Sequence, residues 1–124
     1  MAAVSLCGLG ALVPAWWVAL HASEPFRTLF VMPGEWERFQ PFAHADAGLA
    51  ILTGYAGVRG LTGSLTRSVG GWTTGAWGYA TLWSVGAAMS GSAPALGAVL
   101  MGAALVIVVF ACHALVSTGG ADRR

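Results

Sequence analysis

Long apolar stretches without charge dominate the pattern of the chain. Residues 68–121 carry no formal charge. As one helix this stretch would measure about 81 Å, whereas the hydrocarbon core of a bilayer is about 30 Å thick. The stretch must therefore fold back on itself, and its turn-like segment is Ser90-Gly91-Ser92-Ala93-Pro94. The pattern predicts two membrane spans, 69–89 and 95–116.

A third span is predicted at the N-terminus, over residues 2–22. This stretch is uncharged, contains Pro14 and is followed by Ser23-Glu24-Pro25. A cleaved signal peptide is the alternative interpretation. We favour a retained helix, because no positively charged residue precedes the apolar stretch and Trp16-Trp17 stand where a signal peptide has a plain apolar region.

The fourth predicted span, 45–63, has the weakest pattern, because its uncharged part between Asp46 and Arg59 is short and rich in glycine. Arg59 lies near the end of the span, where its side chain can reach the membrane surface. Small residues also favour close helix packing. A re-entrant segment, which would leave three spans, is the alternative. The predicted fold class is an all-α integral membrane protein, a compact bundle of four transmembrane helices with an amphipathic outer loop.

Composition supports a membrane protein and excludes several functions. The chain is 56% hydrophobic and 9% charged, too little charge to cover a soluble surface. A net charge of +1 excludes nucleic-acid binding through a basic surface. No acid or arginine lies deep in 2–22, 69–89 or 95–116, so nothing resembles a proton relay or ion pathway. An enzyme is the less favoured interpretation.

The arginines predict the topology. With four spans, the arginines on the side of the two termini are Arg59, Arg67, Arg123 and Arg124. The other two, Arg27 and Arg38, fall on the opposite side, so the positive-inside rule places both termini in the cytoplasm. Three spans with the N-terminus outside would place all six arginines on one side, but would leave 45–63 without an apolar partner. Since every cation is arginine, we expect a bacterial protein of the cytoplasmic (inner) membrane.

The most structured polar region is the first loop, residues 23–43. Ser23 is a predicted N-cap, followed by apolar residues at helical spacing. Pro33-Gly34 should break the chain before a second short turn at 35–40. These pieces are expected to lie at the outer membrane interface or to pack as a lid on the mouth of the bundle. Residues 117–124 are predicted to form a cytoplasmic tail.

Two faces of the span 69–89 are candidates for contacts. The glycine face, a helix-packing candidate, contains Gly71, Gly75, Gly78 and Gly86. The aromatic face, an interface candidate, contains Trp72, Tyr79 and Trp83. Small residues let helix backbones approach closely, and aromatic residues at helical spacing commonly fill cores and interfaces. A pigment or quinone site on the aromatic face is the less favoured alternative.

Four polar side chains are expected at the outer face, and they are His21, Glu24, His44 and Asp46. Imidazoles and carboxylates are ligands for zinc or iron. No close spacing of the HExxH type supports a metal site, so a hydrogen-bonded cluster facing solvent is favoured. No cofactor is predicted; a pigment, a quinone or a metal stays as an alternative.

The favoured function is a non-catalytic accessory or scaffolding subunit that packs against larger membrane proteins, for example in a respiratory or photosynthetic complex. Its partners would be the lipid bilayer and other integral membrane subunits or further copies of the chain. The alternative is a small membrane enzyme, or a lipid- or quinone-binding protein, with a polar site at the outer membrane face.

Overall fold

The computed structural model describes residues 1–121, which contain helices and no strand. The helices are α1 (Ala2–Ala22), α2 (Glu24–Arg27), α3 (Trp36–Phe39), α4 (Phe42–Leu61), α5 (Arg67–Met89) and α6 (Ala95–Ala121). The four long helices overlap the four stretches predicted from the uncharged pattern. The two short ones lie in the first loop, on either side of the predicted break.

Several helix ends differ from the sequence predictions. Helix α4 begins at Phe42 instead of 45 and ends at Leu61 instead of 63. Helix α5 begins at Arg67 instead of 69, because the Thr66 side chain accepts a hydrogen bond from the Val69 backbone N at 3.3 Å. Charged residues mark where a helix leaves an apolar environment, whereas capping and backbone hydrogen bonds decide where it ends.

Helix α6 continues to Ala121, so the described part of the predicted tail 117–124 is helical. Thr118 Oγ1 donates to the carbonyl of Ala114 at 3.0 Å, within this last part of the helix. Residues 122–124 lie outside the described residues, and with them Arg123 and Arg124, which carry part of the topology prediction.

Three glycines make the turns between the long helices. Gly34, Gly63 and Gly91 have φ angles of 88°, 64° and 77°, a region that glycine adopts at low cost because it has no Cβ. The predicted break at Pro33-Gly34 and the predicted turn around Gly91 are thereby confirmed. Ser23 also caps α2 as predicted, since its Oγ accepts a hydrogen bond from the Phe26 N at 3.2 Å.

The long helices pack as two pairs. Helix α1 lies mainly against α4 and helix α5 mainly against α6; α1 also contacts α6, and α4 contacts α5 less extensively than the helices of these three pairs contact each other. Gly60 lies beside both Ala3 and Leu115, so the start of α1 and the ends of α4 and α6 meet at one end of the molecule. We call this the terminal end. The opposite end, with residues 23–41 and 90–94, is the loop end.

At the terminal end the helices are in close contact. A Cβ placed on Gly10 of α1 would lie 2.8 Å from the backbone N of Gly54 in α4, and a Cβ on Gly57 would lie 2.8 Å from the backbone N of Cys7. Only glycine fits at such distances. Fully buried Leu6, Ala56 and Val108 belong to the core there. Pro14 does not interrupt α1, which is helical throughout.

Two helices are long and apolar enough to cross a membrane. They are α1 and the segment Ala95–Gly119 of α6, judged by length and composition. The outward faces of all four long helices carry large apolar side chains. Examples, two from each helix, are Val4, Val18, Ile51, Val58, Trp72, Leu82, Val99 and Phe110.

Candidate binding cavity

A cavity of about 680 Å³ lies between the four long helices near the loop end. Its walls come from the second halves of α1 and α5 and the first halves of α4 and α6, and the first loop covers it. Most of the chain's aromatic residues line it: Trp16, Trp17, Phe26, Phe30, Trp36, Phe39, Phe42, Trp77, Tyr79 and Trp83. The cavity is therefore almost entirely apolar.

The first loop packs on the cavity through its apolar side chains. Phe30 and Val31 are buried there, and Met32 N donates a hydrogen bond to the carbonyl of Ser92 at 3.4 Å. Across from them, the ring of Trp83 on α5 lies 5.3 Å from Phe39 and 4.1 Å from Phe42. The loop thus covers the helix ends, as its interpretation as a lid predicts.

The cavity has one charged group, at the loop end. Trp17 Nε1 donates a hydrogen bond of 2.7 Å to Asp46 Oδ2, and it links α1 to the first turns of α4. Trp17 is 9% exposed and Asp46 is half-buried. Within the described part of the chain, Asp46 is the only lining residue with a formal charge.

An aromatic stack closes the loop end beside Trp17. The ring of Trp36 lies 6.0 Å from Trp17 and 4.9 Å from His21. The guanidinium carbon of Arg27 lies 4.6 Å from the centre of the Trp36 ring, a distance typical of a cation over an aromatic face. Arg27 Nε donates to the carbonyl of Leu20 at 2.9 Å, so this cation is held outside the cavity.

The four predicted polar residues separate into two groups. His21 and Asp46 both contact Trp17: His21 Nδ1 lies 2.9 Å from the Trp17 carbonyl oxygen. Glu24 and His44 are exposed. Helix geometry explains the separation, because residues 44 and 46 lie about 200° apart around one helix.

No three His, Cys, Asp or Glu side chains among the described residues come close enough to hold a metal ion. The predicted outer cluster therefore does not form a common ligand set. What the structure places at the cavity from this cluster is Asp46, with His21 packed behind Trp17.

The glycine face of α5 makes no close contact with another helix in residues 1–121. A Cβ on Gly71, Gly75, Gly78 or Gly86 would meet no atom of another helix within 4 Å. Gly71 and Gly75 instead line an open groove between α5 and α6, together with Arg67 and His113. Close packing within the chain uses Gly10 and the glycines of α4 described above. Packing of the α5 glycine face against another chain stays a prediction.

The predicted aromatic face divides between the surface and the cavity. Trp72 is 68% exposed and Tyr79 is 74% exposed, whereas Trp83 lies under Phe42 of α4. Tyr79 lies at the cavity wall despite its exposure. The three residues lie on one side of α5. Of these, Trp83 is nearest the loop end, where Phe39 and Phe42 cover it.

Sequence reasoning missed a buried polar pair between α4 and α5. Trp77 is 2% exposed, and its Nε1 donates a hydrogen bond of 2.8 Å to the fully buried Thr53 Oγ1. Thr53 in turn donates to the carbonyl of Leu49 at 2.6 Å. The sequence did contain a signal for this pair. Thr53 and Trp77 each lie inside an apolar stretch, and a buried threonine or tryptophan needs a hydrogen-bond partner.

Comparison with known proteins identifies no relative. No protein-family model matches the chain, and it has no significant match among curated proteins or solved structures. The cavity therefore carries the functional argument. Its volume lies within the range of about 300 to 1,000 Å³ typical of small-molecule sites, and a mostly apolar wall with a few polar groups is their usual composition.

Proposed function

We propose that this chain is an integral membrane protein that binds an apolar small molecule or lipid in the cavity between its helices. The observation that carries the proposal is the 680 Å³ apolar cavity with a single charged side chain, Asp46, in its wall. Well-packed interiors contain few voids larger than a water molecule, so a hollow of this size favours a binding role. The proposal involves no catalytic step.

The cavity also reaches the outer surface of the helices. Leu12 of α1, Leu100 of α6 and Tyr79 of α5 line the cavity, and each of them is exposed on the outside of the molecule. A ligand dissolved in the bilayer would enter between neighbouring helices without crossing water. Such a route suits a lipid or another apolar molecule.

The proposed arrangement in the membrane is a bundle of four spans, with both termini in the cytoplasm of a bacterium. The support is the apolar outward surface of all four long helices, which water would disfavour. Arg59, near the terminal end of α4, turns back to donate through Nη2 to the carbonyl of Ser64 at 3.1 Å. This geometry keeps the charge at the end of the helix, as a membrane requires.

The topology is tested by thiol labelling of single cysteines in a background with Cys7 and Cys112 replaced by serine. Exposed Glu37 in the first loop and exposed Thr62 at the terminal end are the matched positions. Glu37→Cys should react with a membrane-impermeant reagent from outside, and Thr62→Cys only after the membrane is opened. Labelling of Glu37→Cys from the cytoplasmic side alone would contradict the proposed topology.

Ligand binding is tested by purification from the membrane in mild detergent, followed by native mass spectrometry and solvent extraction. The Ala80→Trp variant fills the cavity, since Ala80 is one of its lining residues. Ala47→Trp is the matched control, because Ala47 is exposed on α4 outside the lining. We expect a bound molecule in the wild type and the control and its loss in Ala80→Trp. Absence of any bound molecule, or its retention in Ala80→Trp, would refute the proposal.

A second candidate function is the accessory subunit. The observation in its favour is the α5 glycine face, at which a Cβ would meet nothing within the chain. Together with exposed Trp72, this face offers another membrane helix a close approach. A larger membrane complex or a second copy of the chain would supply that helix.

Native gel electrophoresis in mild detergent tests the accessory role. A mass above that of the single chain should fall to the monomer in Gly75→Leu and remain in Gly8→Leu, since Gly8 is an exposed glycine of α1 with no neighbour within 4 Å. Migration of the wild type as a bare monomer would count against this function and leave the binding proposal unaffected.

A further inference from the structure

We infer that the cavity selects lipophilic cations, molecules with an apolar body and one positive charge that lies beside the Asp46 carboxylate. The inference rests on the proposed binding function and deepens it by naming the class of ligand. Three features of the cavity carry it: an acid that none of the cations among residues 1–121 contacts, aromatic walls, and few polar groups other than Asp46 and the indole N–H groups.

The first feature is the environment of Asp46. Its side chain accepts a hydrogen bond from Trp17 Nε1 at 2.7 Å, a neutral donor. The salt bridge among the described residues joins Arg38 to Glu35 and does not involve Asp46. Arg27, the cation in the aromatic stack, donates to the Leu20 carbonyl instead. A positive charge nearby favours the charged form of a half-buried carboxylate, and here the ligand would supply that charge.

The second feature is the aromatic wall around this acid. Trp16 lies 5.4 Å from Trp17 and 5.5 Å from Phe30, both in edge-to-face arrangements that leave ring faces turned in several directions. Aromatic faces attract cations, most strongly those of tryptophan. Trp36 already holds the Arg27 guanidinium over its ring at 4.6 Å, which demonstrates this interaction at the same end of the cavity.

The third feature is the small number of polar groups in the walls, which disfavours strongly polar and anionic ligands. Apart from Asp46, the nitrogen and oxygen atoms in the lining side chains are the indole Nε1 groups of the tryptophans, the Ser84 hydroxyl and the Tyr79 hydroxyl. Trp17 Nε1 and Trp77 Nε1 already donate to Asp46 and Thr53, and Ser84 Oγ already donates to the Ala80 carbonyl at 2.9 Å. A strongly polar ligand would lose its hydration without new partners. An anionic ligand would be repelled by Asp46. A large apolar body with one delocalised positive charge meets neither penalty.

Three probes of nearly the same shape test the inference: tetraphenylphosphonium, a cation; tetraphenylborate, an anion; and tetraphenylsilane, which is neutral. Binding to the purified full chain in detergent is measured by equilibrium dialysis and by quenching of tryptophan fluorescence. We expect the cation to bind at least about tenfold more tightly than either of the others, a preference of about 1.4 kcal/mol.

The decisive variant is Asp46→Asn, whose side-chain oxygen can still accept the hydrogen bond from Trp17. It should weaken cation binding about tenfold without weakening the neutral probe. Asp46→Glu, which restores the charge, should restore much of the preference. Glu24→Gln removes an exposed carboxylate of the same loop end outside the cavity lining and should change nothing.

Two outcomes would overturn the inference. If all three probes bind alike and Asp46→Asn binds the cation as the wild type does, the cavity takes apolar molecules without selecting charge; the inference then fails and the proposed function stands. If none of the probes binds, the inference also fails, and the proposed function is judged separately by the molecule that co-purifies with the wild type. An unfolded Asp46→Asn variant would show in its thermal transition, and Asp46→Glu with the probe series would then decide.

Discussion

The same four helices pack in opposite ways at the two ends of the molecule. Toward the terminal end, α1 and α4 touch through backbone at Gly10 and Gly57, with no space for a Cβ. Toward the loop end, tryptophan and phenylalanine side chains stand between the helices and surround a cavity of about 680 Å³. Residue size along each helix therefore decides where the helices meet and where they enclose space.

The buried pair Thr53 and Trp77 lies between these two ends. Trp77 belongs both to the buried core and to the cavity wall, and its hydrogen bond to Thr53 joins α4 to α5. This polar contact adds to the aromatic contact between Phe42 of α4 and Trp83 of α5. Together with the contact between α1 and α6, these interactions connect the two helix pairs beside the cavity.

The largest expected effect on stability comes from a larger side chain at the glycine contact between α1 and α4. Gly57→Val would place side-chain atoms against the backbone of Cys7, and relief of the clash requires α1 and α4 to move apart. We expect a loss of about 3 kcal/mol in the free energy of unfolding, at the upper end for overpacking. Thermal unfolding in detergent, followed by tryptophan fluorescence, measures it.

The matched control for that substitution is Gly48→Val. Gly48 belongs to the same helix and lines the cavity, and a Cβ there meets nothing within 4 Å. Its unfolding transition should stay near that of the wild type. Equal losses in the two variants would mean that the terminal end is no more tightly packed than the loop end.

Removal of the buried hydroxyl should have the next largest effect. Thr53→Val keeps the shape of the side chain but leaves Trp77 Nε1 without its partner, which costs about 1 to 2 kcal/mol. Thr53→Ser retains the hydroxyl and should recover most of this loss. If valine and serine destabilise equally, packing rather than the hydrogen bond is what matters at this position.

A smaller effect is expected at the lid. Trp36→Phe reduces the face on which the Arg27 guanidinium lies, an interaction of about 0.5 to 1 kcal/mol. Hydrogen exchange of amides in residues 23–41 should become faster, while amides of the terminal end stay unchanged. Trp72→Phe, which alters an exposed tryptophan of α5, is the control and should affect neither region.

The smallest effect is expected at the surface ion pair of the first loop. Arg38 Nη1 lies 3.1 Å from Glu35 Oε2, three residues away and largely in solvent. Exposed pairs of this kind contribute about 0 to 1 kcal/mol, so Glu35→Gln should shift neither the unfolding transition nor exchange in the loop measurably. A clear loss would show that the lid depends on this charge.

The long helices themselves were predictable from the sequence, because each overlaps a mostly apolar stretch between turn residues, although α4 also contains Asp46 and Arg59. Their ends differed by several residues, since the Thr66 cap and the continued backbone bonding of α6 leave no trace in the charge pattern. The helical class was predictable because a helix satisfies its own backbone hydrogen bonds along a long apolar stretch.

The cavity was not predictable, because it depends on how four helices are rotated relative to one another. Trp17 and Asp46 lie 29 positions apart and form one hydrogen bond. The regular spacing on α5 drew attention to its glycine and aromatic faces, yet most of those residues lie outside the core, whereas Trp77 lies on the face that also buries Gly70 and Thr73. Periodicity identifies the faces of a helix but not which face meets a neighbour.

The contrast between the closely packed end and the hollow end is tested most directly by placing the same substitution in both. Ala56 is fully buried in the core of the closely packed part, and Ala80 lines the cavity. Thermal unfolding of Ala56→Leu and Ala80→Leu should show a loss of about 1 to 3 kcal/mol for the first and no measurable loss for the second, because the cavity has space for the larger side chain. Losses of similar size in the two variants would contradict the claim that one end is closed and the other hollow.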